Sequence, residues 1–167
     1  MGELYCQIFS QLYDLETISL RYFNVFGPRQ DPNSIYSAVI ARFIHALLNE
    51  SSPVIYGDGD QSRDFTYVEN VVRANLLAME ASGSSGRVFN IACGQRVSVN
   101  ELLSRLQEIS GIRIPARFEP ARSGEVRHSL SSINQARIHL GYEPRVGFQE
   151  GLAATWEGFR KNFSNQA

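Results

Sequence analysis

The sequence predicts an α/β fold, and three observations carry that prediction. Stretches of strand character alternate with stretches of helical periodicity. Two strands, 17–25 and 88–92, look like long members of a parallel sheet. Gly- and Pro-containing turns such as Gly27-Pro28 and Gly57-Asp58-Gly59-Asp60 separate strand from helix.

The elements follow in order. Residues 3–13 read as a helix, with Leu4, Ile8 and Leu12 repeating every fourth position beside Tyr5 and Phe9. No N-cap or strand precedes it, so it starts in mid-element. That is expected of a fragment of a larger protein or of a short natural N-terminus. The strand at 17–25 alternates at first and is rich in β-branched and aromatic residues. Gly27-Pro28 ends it, because Pro fixes φ and offers no N–H. Asn24 therefore sits where the strand stops, and ligands of open α/β sheets bind at the carboxyl ends of strands.

A helix is predicted over 35–49, where Ile35, Val39, Phe43 and Leu47 form a face widened by Ile40, Ile44 and Leu48. Short strands follow at 54–56 and 65–68. The helix over 70–81 places Val72, Leu76 and Met79 on one face, and Ser82 to Gly86 is a surface connection. After the strand at 88–92, Ser98 and Glu101 form a capping box for a helix ending at Gly111. A strand is plausible at 116–119. Ser132 and Gln135 form a second capping box for a helix that stops at Gly141. The last helix aligns Leu152, Trp156, Phe159 and Phe163, a stripe expected in a core or an interface.

Composition excludes several classes. The chain has 167 residues, 43% apolar and 20% charged, with net charge −1. That length suits one domain able to bury roughly 68–70% of its unfolded surface. A near-neutral chain does not suit general nucleic-acid binding. Two distant cysteines, Cys6 and Cys93, suggest a reducing compartment and neither a disulfide framework nor a cysteine zinc site. The N-terminus has no basic n-region, and no apolar run is long enough to span a bilayer. A cytoplasmic protein without a membrane partner is expected.

Three arginines stand in polar loops: Arg29, Arg63 and Arg122. Two planar guanidinium forks make a fitting diphosphate clamp, each charge-assisted bond being worth about 1.5–3 kcal/mol. Glu125, three residues after Arg122, could accept bonds from a ribose diol. Any one of these arginines, taken alone, reads as a surface salt bridge. Asp58, Asp60, Ser62, Asp64, Thr66 and Glu69 fall at the ligand positions of a calcium loop. Arg63 occupies the position that needs Gly, and Val54-Ile55-Tyr56 before it is a strand, so calcium is not expected. His45, His128 and His139 lack metal-ligand spacing. No acid–base pair stands out, and no GxGxxG follows a strand near the start. Two sheet strands are too few for a doubly wound domain.

Together the motifs resemble one family. Arg21-Tyr22-Phe23-Asn24-Val25-Phe26-Gly27-Pro28-Arg29-Gln30-Asp31-Pro32, then Gly57-Asp58-Gly59 through Ser62-Arg63-Asp64-Phe65, Asn90-Ile91-Ala92, Arg122-Ser123-Gly124-Glu125-Val126-Arg127-His128-Ser129 and Leu140-Gly141-Tyr142 look like the C-terminal half of NAD-dependent nucleotide-sugar epimerases. These are extended short-chain dehydrogenases/reductases, and the likeness is to UDP-glucose or UDP-N-acetylglucosamine 4-epimerases. The resemblance implies the C-terminal portion of a Rossmann-type fold with a small mixed α/β substrate-binding region. In one truncated unit spanning 1–167, residues 1–30 and 86–93 would be pieces of the Rossmann sheet. Residues 31–85 and 94–167 would bind substrate.

The resemblance also implies roles. Tyr22 would lie against the nicotinamide of NAD, and Asn24 would bind the sugar diphosphate. Ala38, Val39 and Phe43 would hold the uracil, and Tyr56 would contact the nucleotide. Arg63 and Arg122 would grip the diphosphate and Glu125 the ribose. Many family members have Asp at this last position; Glu keeps the acceptor and adds a methylene. The family's catalytic Tyr-x-x-x-Lys would fall just before Met1, and the Gly-rich NAD motif further upstream. The chain alone is therefore expected to be inactive. A non-catalytic UDP-sugar-binding module and a self-associating structural domain are the alternatives. The strands left without sheet neighbours imply a homo-oligomer.

Overall fold

In a computed structural model of the chain, residues 1–31 and 39–164 are described. Helix α1 (Gly2–Tyr13) leads into β1 (Ile18–Tyr22), and β2 (Val25–Phe26) follows after a break. Next come α2 (Val39–Leu48), β3 (Val54–Tyr56), β4 (Ser62–Arg63), β5 (Thr66–Tyr67) and α3 (Val68–Glu80). The rest is β6 (Arg87–Ile91), β7 (Val97–Ser98), α4 (Val99–Ser110), β8 (Arg117–Glu119), α5 (Asn134–Leu140) and α6 (Phe148–Ser164). The mixed α/β class expected from the alternation is the class observed.

The described strands pair two by two. β1 and β6 run parallel, from Ile18 opposite Arg87 to Tyr22 opposite Ile91. β2 pairs parallel with β5, β3 parallel with β8, and β4 antiparallel with β7. The expected strand at 17–25 is thus two strands. The break is Asn24, whose φ of 35° lies in the left-handed region, which Asn tolerates better than most residues. There the chain leaves β6, to which Phe23 N–H still donates, and joins β5, where Thr66 N–H donates to the Asn24 carbonyl.

Two apolar cores result. The larger packs α2, α4 and α6 around an aromatic cluster, with Phe65 stacked on Phe148 at 5.5 Å and Phe26 edge-on to both. Trp156 belongs to it. The second lies beneath β1 and β6 and recruits Val71 and Ala74 of α3 and Ala136 and Leu140 of α5. Tyr142 is fully buried there, its hydroxyl donating to the Ala92 carbonyl at 3.0 Å.

Several local expectations need correction. The α3 face that carries Val72, Leu76 and Met79 is turned outward; they are 53%, 56% and 82% exposed. α3 buries the adjacent Asn70, Val71 and Ala74 face instead. Leu4, Ile8 and Leu12 are likewise exposed, and α1 buries no residue. The residue at 68 opens α3 rather than closing a strand, and Ile35 lies outside the described residues. At Ser98 the cap forms, with Oγ accepting from Glu101 N–H, while the Glu101 carboxylate pairs with Arg105. The second box does not form: Ser132 Oγ takes Asn134 N–H, one residue short of Gln135, and Ile133 is the N-cap. Among the described residues no helix is long and apolar enough to cross a membrane.

Candidate functional site

A cleft of about 650 Å³ opens between the start of α2, β3 and the 122–125 loop. The left-handed backbone at Asn24 places that residue at the cleft, where its Nδ2 donates to the Asp64 carbonyl at 3.0 Å. Val39 and Phe43 line it from the first turns of α2, and Phe43 also roots that helix in the larger core. Ala38 lies outside the described residues.

Tyr56 and Arg122 form one wall. The Arg122 guanidinium carbon lies 3.8 Å from the centre of the Tyr56 ring, a cation–π contact. Arg63 comes from β4, which is held on two sides. β7 pairs along one side, and on the other Ser62 N–H donates to the Arg127 carbonyl while Ser129 N–H donates to the Ser62 carbonyl. Ser62 Oγ lies 2.9 Å from His128 Nδ1. This pairing carries the 122–129 loop across the cleft and brings Glu125 to Arg63. Nη2 of Arg63 meets Glu125 Oε1 at 3.0 Å, and Nη1 donates to the carbonyls of Ser62 and Arg127.

The turn at Gly57–Asp60 buttresses this wall. Arg127 pairs with Asp58 at 2.7 Å, and Arg127 beside it holds the Asp58 carboxyl below its ordinary value. A Cβ at Gly59 would lie 2.1 Å from Asn100 Oδ1, so only glycine allows that close approach. The residues weighed as calcium ligands diverge: Asp58 faces Arg127, Asp60 accepts from Asn100, and Asp64 turns inward.

Three contributors escaped the sequence reading. Arg42 and the exposed His45, on the outward side of α2, also line the cleft. Asp64 is fully buried and accepts the N–H groups of Cys93, Gly94 and Ser131. Burial pushes its carboxyl up against the lowering effect of those bonds. Burial likewise raises the nearby Cys93 thiol to about 11, so it stays protonated at neutral pH. Arg29 lies away from the cleft, in a separate depression with Phe159 and Phe163.

Tyr22 stands apart. It is 47% exposed at the end of β1, and its hydroxyl donates to Asn75 Oδ1 at 2.9 Å. It borders a second depression, with Asn75 and Met79.

An arginine-rich cleft beside Asn24, just past the carboxyl end of β1 in the parallel β1–β6 pair, marks a protein of the α/β class whose cleft lies where ligands of open α/β sheets bind. The comparisons narrow this. The profile of the NAD dependent epimerase/dehydratase family matches residues 1–92, and the chain belongs to that family. It is 38% identical over 162 residues to a putative UDP-glucose 4-epimerase of Methanocaldococcus jannaschii, covering 97% of this chain and 52% of that protein. It is 38% identical to a UDP-glucose 4-epimerase of Mycolicibacterium smegmatis, over 95% and 50% respectively. The crystal structure of a UDP-glucose 4-epimerase from Thermotoga maritima with UDP-glucose superposes with a TM-score of 0.91 at 44% identity, covering 96% of this chain and 51% of that one. The chain thus spans about half the length of the relatives it matches. NAD is the family's cofactor. The residues present here do not by themselves build a dinucleotide site: Tyr22 offers one exposed ring, already bonded to Asn75, and no GxGxxG occurs in the sequence.

Proposed function

We propose that this chain is the nucleotide-sugar-binding portion of an NAD-dependent epimerase, most like a UDP-hexose 4-epimerase. The observation that carries the reading is the wall formed by Arg63, Arg122 and Tyr56, in a cleft with three arginines against one glutamate. An excess of cationic forks in a half-enclosed space suits a diphosphate. Val39 and Phe43 offer an apolar surface for the uracil, with Ala38 next to them in sequence. Asn24 faces the sugar diphosphate, and Tyr22 borders the cofactor side.

NAD, held by residues outside this chain's own set, would supply hydride acceptance and return. This chain's residues bind and orient the nucleotide sugar for that exchange. They include no Tyr-x-x-x-Lys pair, since the sequence has a single lysine, Lys161, and Glu157 stands four residues before it. The purified 167-residue chain is therefore expected to bind without turnover. Calorimetric titration with UDP and UDP-glucose tests the reading. Arg63→Ala and Arg122→Ala should each weaken binding by about 10- to 150-fold, the worth of a charge-assisted hydrogen bond. Binding unchanged by both substitutions would remove the clamp, and epimerase turnover by the chain alone would overturn the division of labour.

A further inference from the structure

Arg42 is the cleft cation that the diphosphate clamp does not use. Arg63 is held by Glu125, and Arg122 rests on Tyr56. Arg42 lines the same cleft, is half-buried, and makes no hydrogen bond or ion pair among the described residues. A guanidinium only donates, and one that has lost part of its water favours a strong acceptor.

The cleft has two ends. Arg63, Arg122 and Tyr56 mark one. Ala46, Ser51 and Ser52 mark the other. Ser51 N–H and Oγ both donate to the Ala46 carbonyl, at 2.9 and 3.1 Å, which seats Ser51 against the end of α2. Ser52 precedes Tyr56 by four residues, about 13 Å of extended chain. Arg42 stands one helical turn after Val39 and one before Ala46, so these three share the cleft face of α2 with Phe43. With the diphosphate at the Arg63–Arg122 end and the base against Val39 and Phe43, whatever points on toward Ser51 meets Arg42. In a pyrimidine nucleotide the ribose is carried on N1, and C4 is the ring atom opposite. The group on C4 therefore points farthest from the diphosphate. It is an accepting oxygen in uracil and a donating amino group in cytosine.

Resting on the nucleotide-sugar reading above, we propose that Arg42 is a specificity-determining residue whose guanidinium donates to the C4 oxygen of the base. The cleft then takes 4-oxo-pyrimidine nucleoside diphosphates and discriminates against cytidine diphosphates. Cytosine sets a donor against a donor and leaves Arg42 unpaired in a space that the ligand has dried. The hydroxyl oxygens of Ser51 and Ser52 are neutral acceptors, and they offer an amino group less than a charged donor offers a carbonyl.

The test is calorimetry on the 167-residue chain with UDP, CDP and 4-thio-UDP. The thio analogue keeps the ring and its N3–H and replaces the C4 oxygen with sulfur, a weak acceptor. Wild type should bind UDP more tightly than either analogue by about tenfold or more, the worth of a hydrogen bond from a charged donor. R42M keeps the aliphatic stem and removes the donors. It should bring UDP to within about threefold of the analogues and leave CDP nearly unchanged. R63A should weaken all three alike and preserve their ratios. Wild-type affinities that agree within about threefold would overturn the role in reading the base. So would a UDP preference that survives R42M, or a uniform loss of all three ligands in R42M, which would make Arg42 a general phosphate cation. Failure of all three to bind wild type would overturn the nucleotide reading, and this inference with it. Met and Ala both favour helix, so R42A provides the same comparison should R42M misfold.

Discussion

Replacing Asp64 tests how the cleft is held. Its Oδ1 accepts from Cys93 N–H at 2.9 Å, and its Oδ2 from Gly94 N–H at 3.0 Å and Ser131 N–H at 3.4 Å. These bonds join the segment after β6 to the segment before α5, and Asp64 adjoins Arg63 in sequence. Asp64→Ala leaves these N–H groups without their acceptor in a site with no exposed side-chain surface. Each unpaired buried group costs about 1–3 kcal/mol, and water entering the vacated space recovers part, so about 3 kcal/mol is expected. For a chain of this size that lowers Tm by about 6–12 °C. Asp64→Asn keeps one acceptor oxygen and turns an NH2 toward a backbone N–H, costing about 1–3 kcal/mol. Thermal unfolding by circular dichroism reads both, and amide exchange at Cys93, Gly94 and Ser131 localises the loss. A Tm change below about 2 °C for Asp64→Ala would refute the reasoning. The pH dependence has a definite sign. Burial raises the folded carboxyl above its ordinary 3.8, so the folded chain holds this proton more tightly than the unfolded one. The stability from this group is full below the unfolded value and is lost as pH rises through the folded value. The Tm gap between wild type and Asp64→Asn should narrow over that rise and stay flat above it.

The other predictions address neighbouring contacts. Tyr56→Ala removes the ring under Arg122 and should weaken UDP binding by about 3- to 30-fold, whereas Tyr56→Phe keeps the face and the affinity; equal losses in both variants would exclude the stacking role. At Gly158 in α6 a Cβ would lie 2.4 Å from the Pro28 Cβ, so Gly158→Ala should lower stability by about 1–3 kcal/mol despite the better helix propensity of Ala. A raised Tm would show that the loop yields freely. The exposed Leu4, Leu12, Leu76 and Met79 and the two-stranded β1–β6 ladder favour self-association. Light scattering should give a mass above 18.7 kDa that rises with concentration, and Leu12→Lys with Met79→Lys should lower it without lowering Tm. A monomer at every concentration would refute this.

What the sequence made legible was mostly local. The parallel strands 18–22 and 87–91, the Ser98 cap and the glycine ends at Gly111 and Gly141 follow from signals within a few residues. What was not legible depends on distant chain. Apolar periodicity showed that α3 carries Val72, Leu76 and Met79 on one face, but not that nothing among the described residues covers them. The Ser62–Glu125 neighbourhood needs a ladder between segments more than 60 positions apart, which no window reads. Asn24, Arg63, Arg122 and Glu125 could be singled out from strand-end position and side-chain chemistry, but their grouping, and any role for Tyr22, came only through resemblance. Asp64 was visible only as a member of a calcium-like pattern, because a carboxylate in a polar loop gives no sign that it will be buried.

The contrast between Tyr22 and Arg63 shows how differently one chain can hold two side chains. Arg63 is flanked by β7 and by 127–129, backed by the aromatic core beneath Phe65, and oriented by three bonds. Each of those supports is made within this sequence, so the direction of its guanidinium is a property of the chain as it stands. Among the described residues Tyr22 has a single side-chain bond, to Asn75, on a strand whose described pairing is to β6 alone. Its ring can take another position for the loss of one exposed hydrogen bond, worth only about 0.5–1.5 kcal/mol. Nucleotide affinity should therefore respond to substitutions in the Arg63 wall and be nearly indifferent to Tyr22→Phe. That separation follows from where the supports lie.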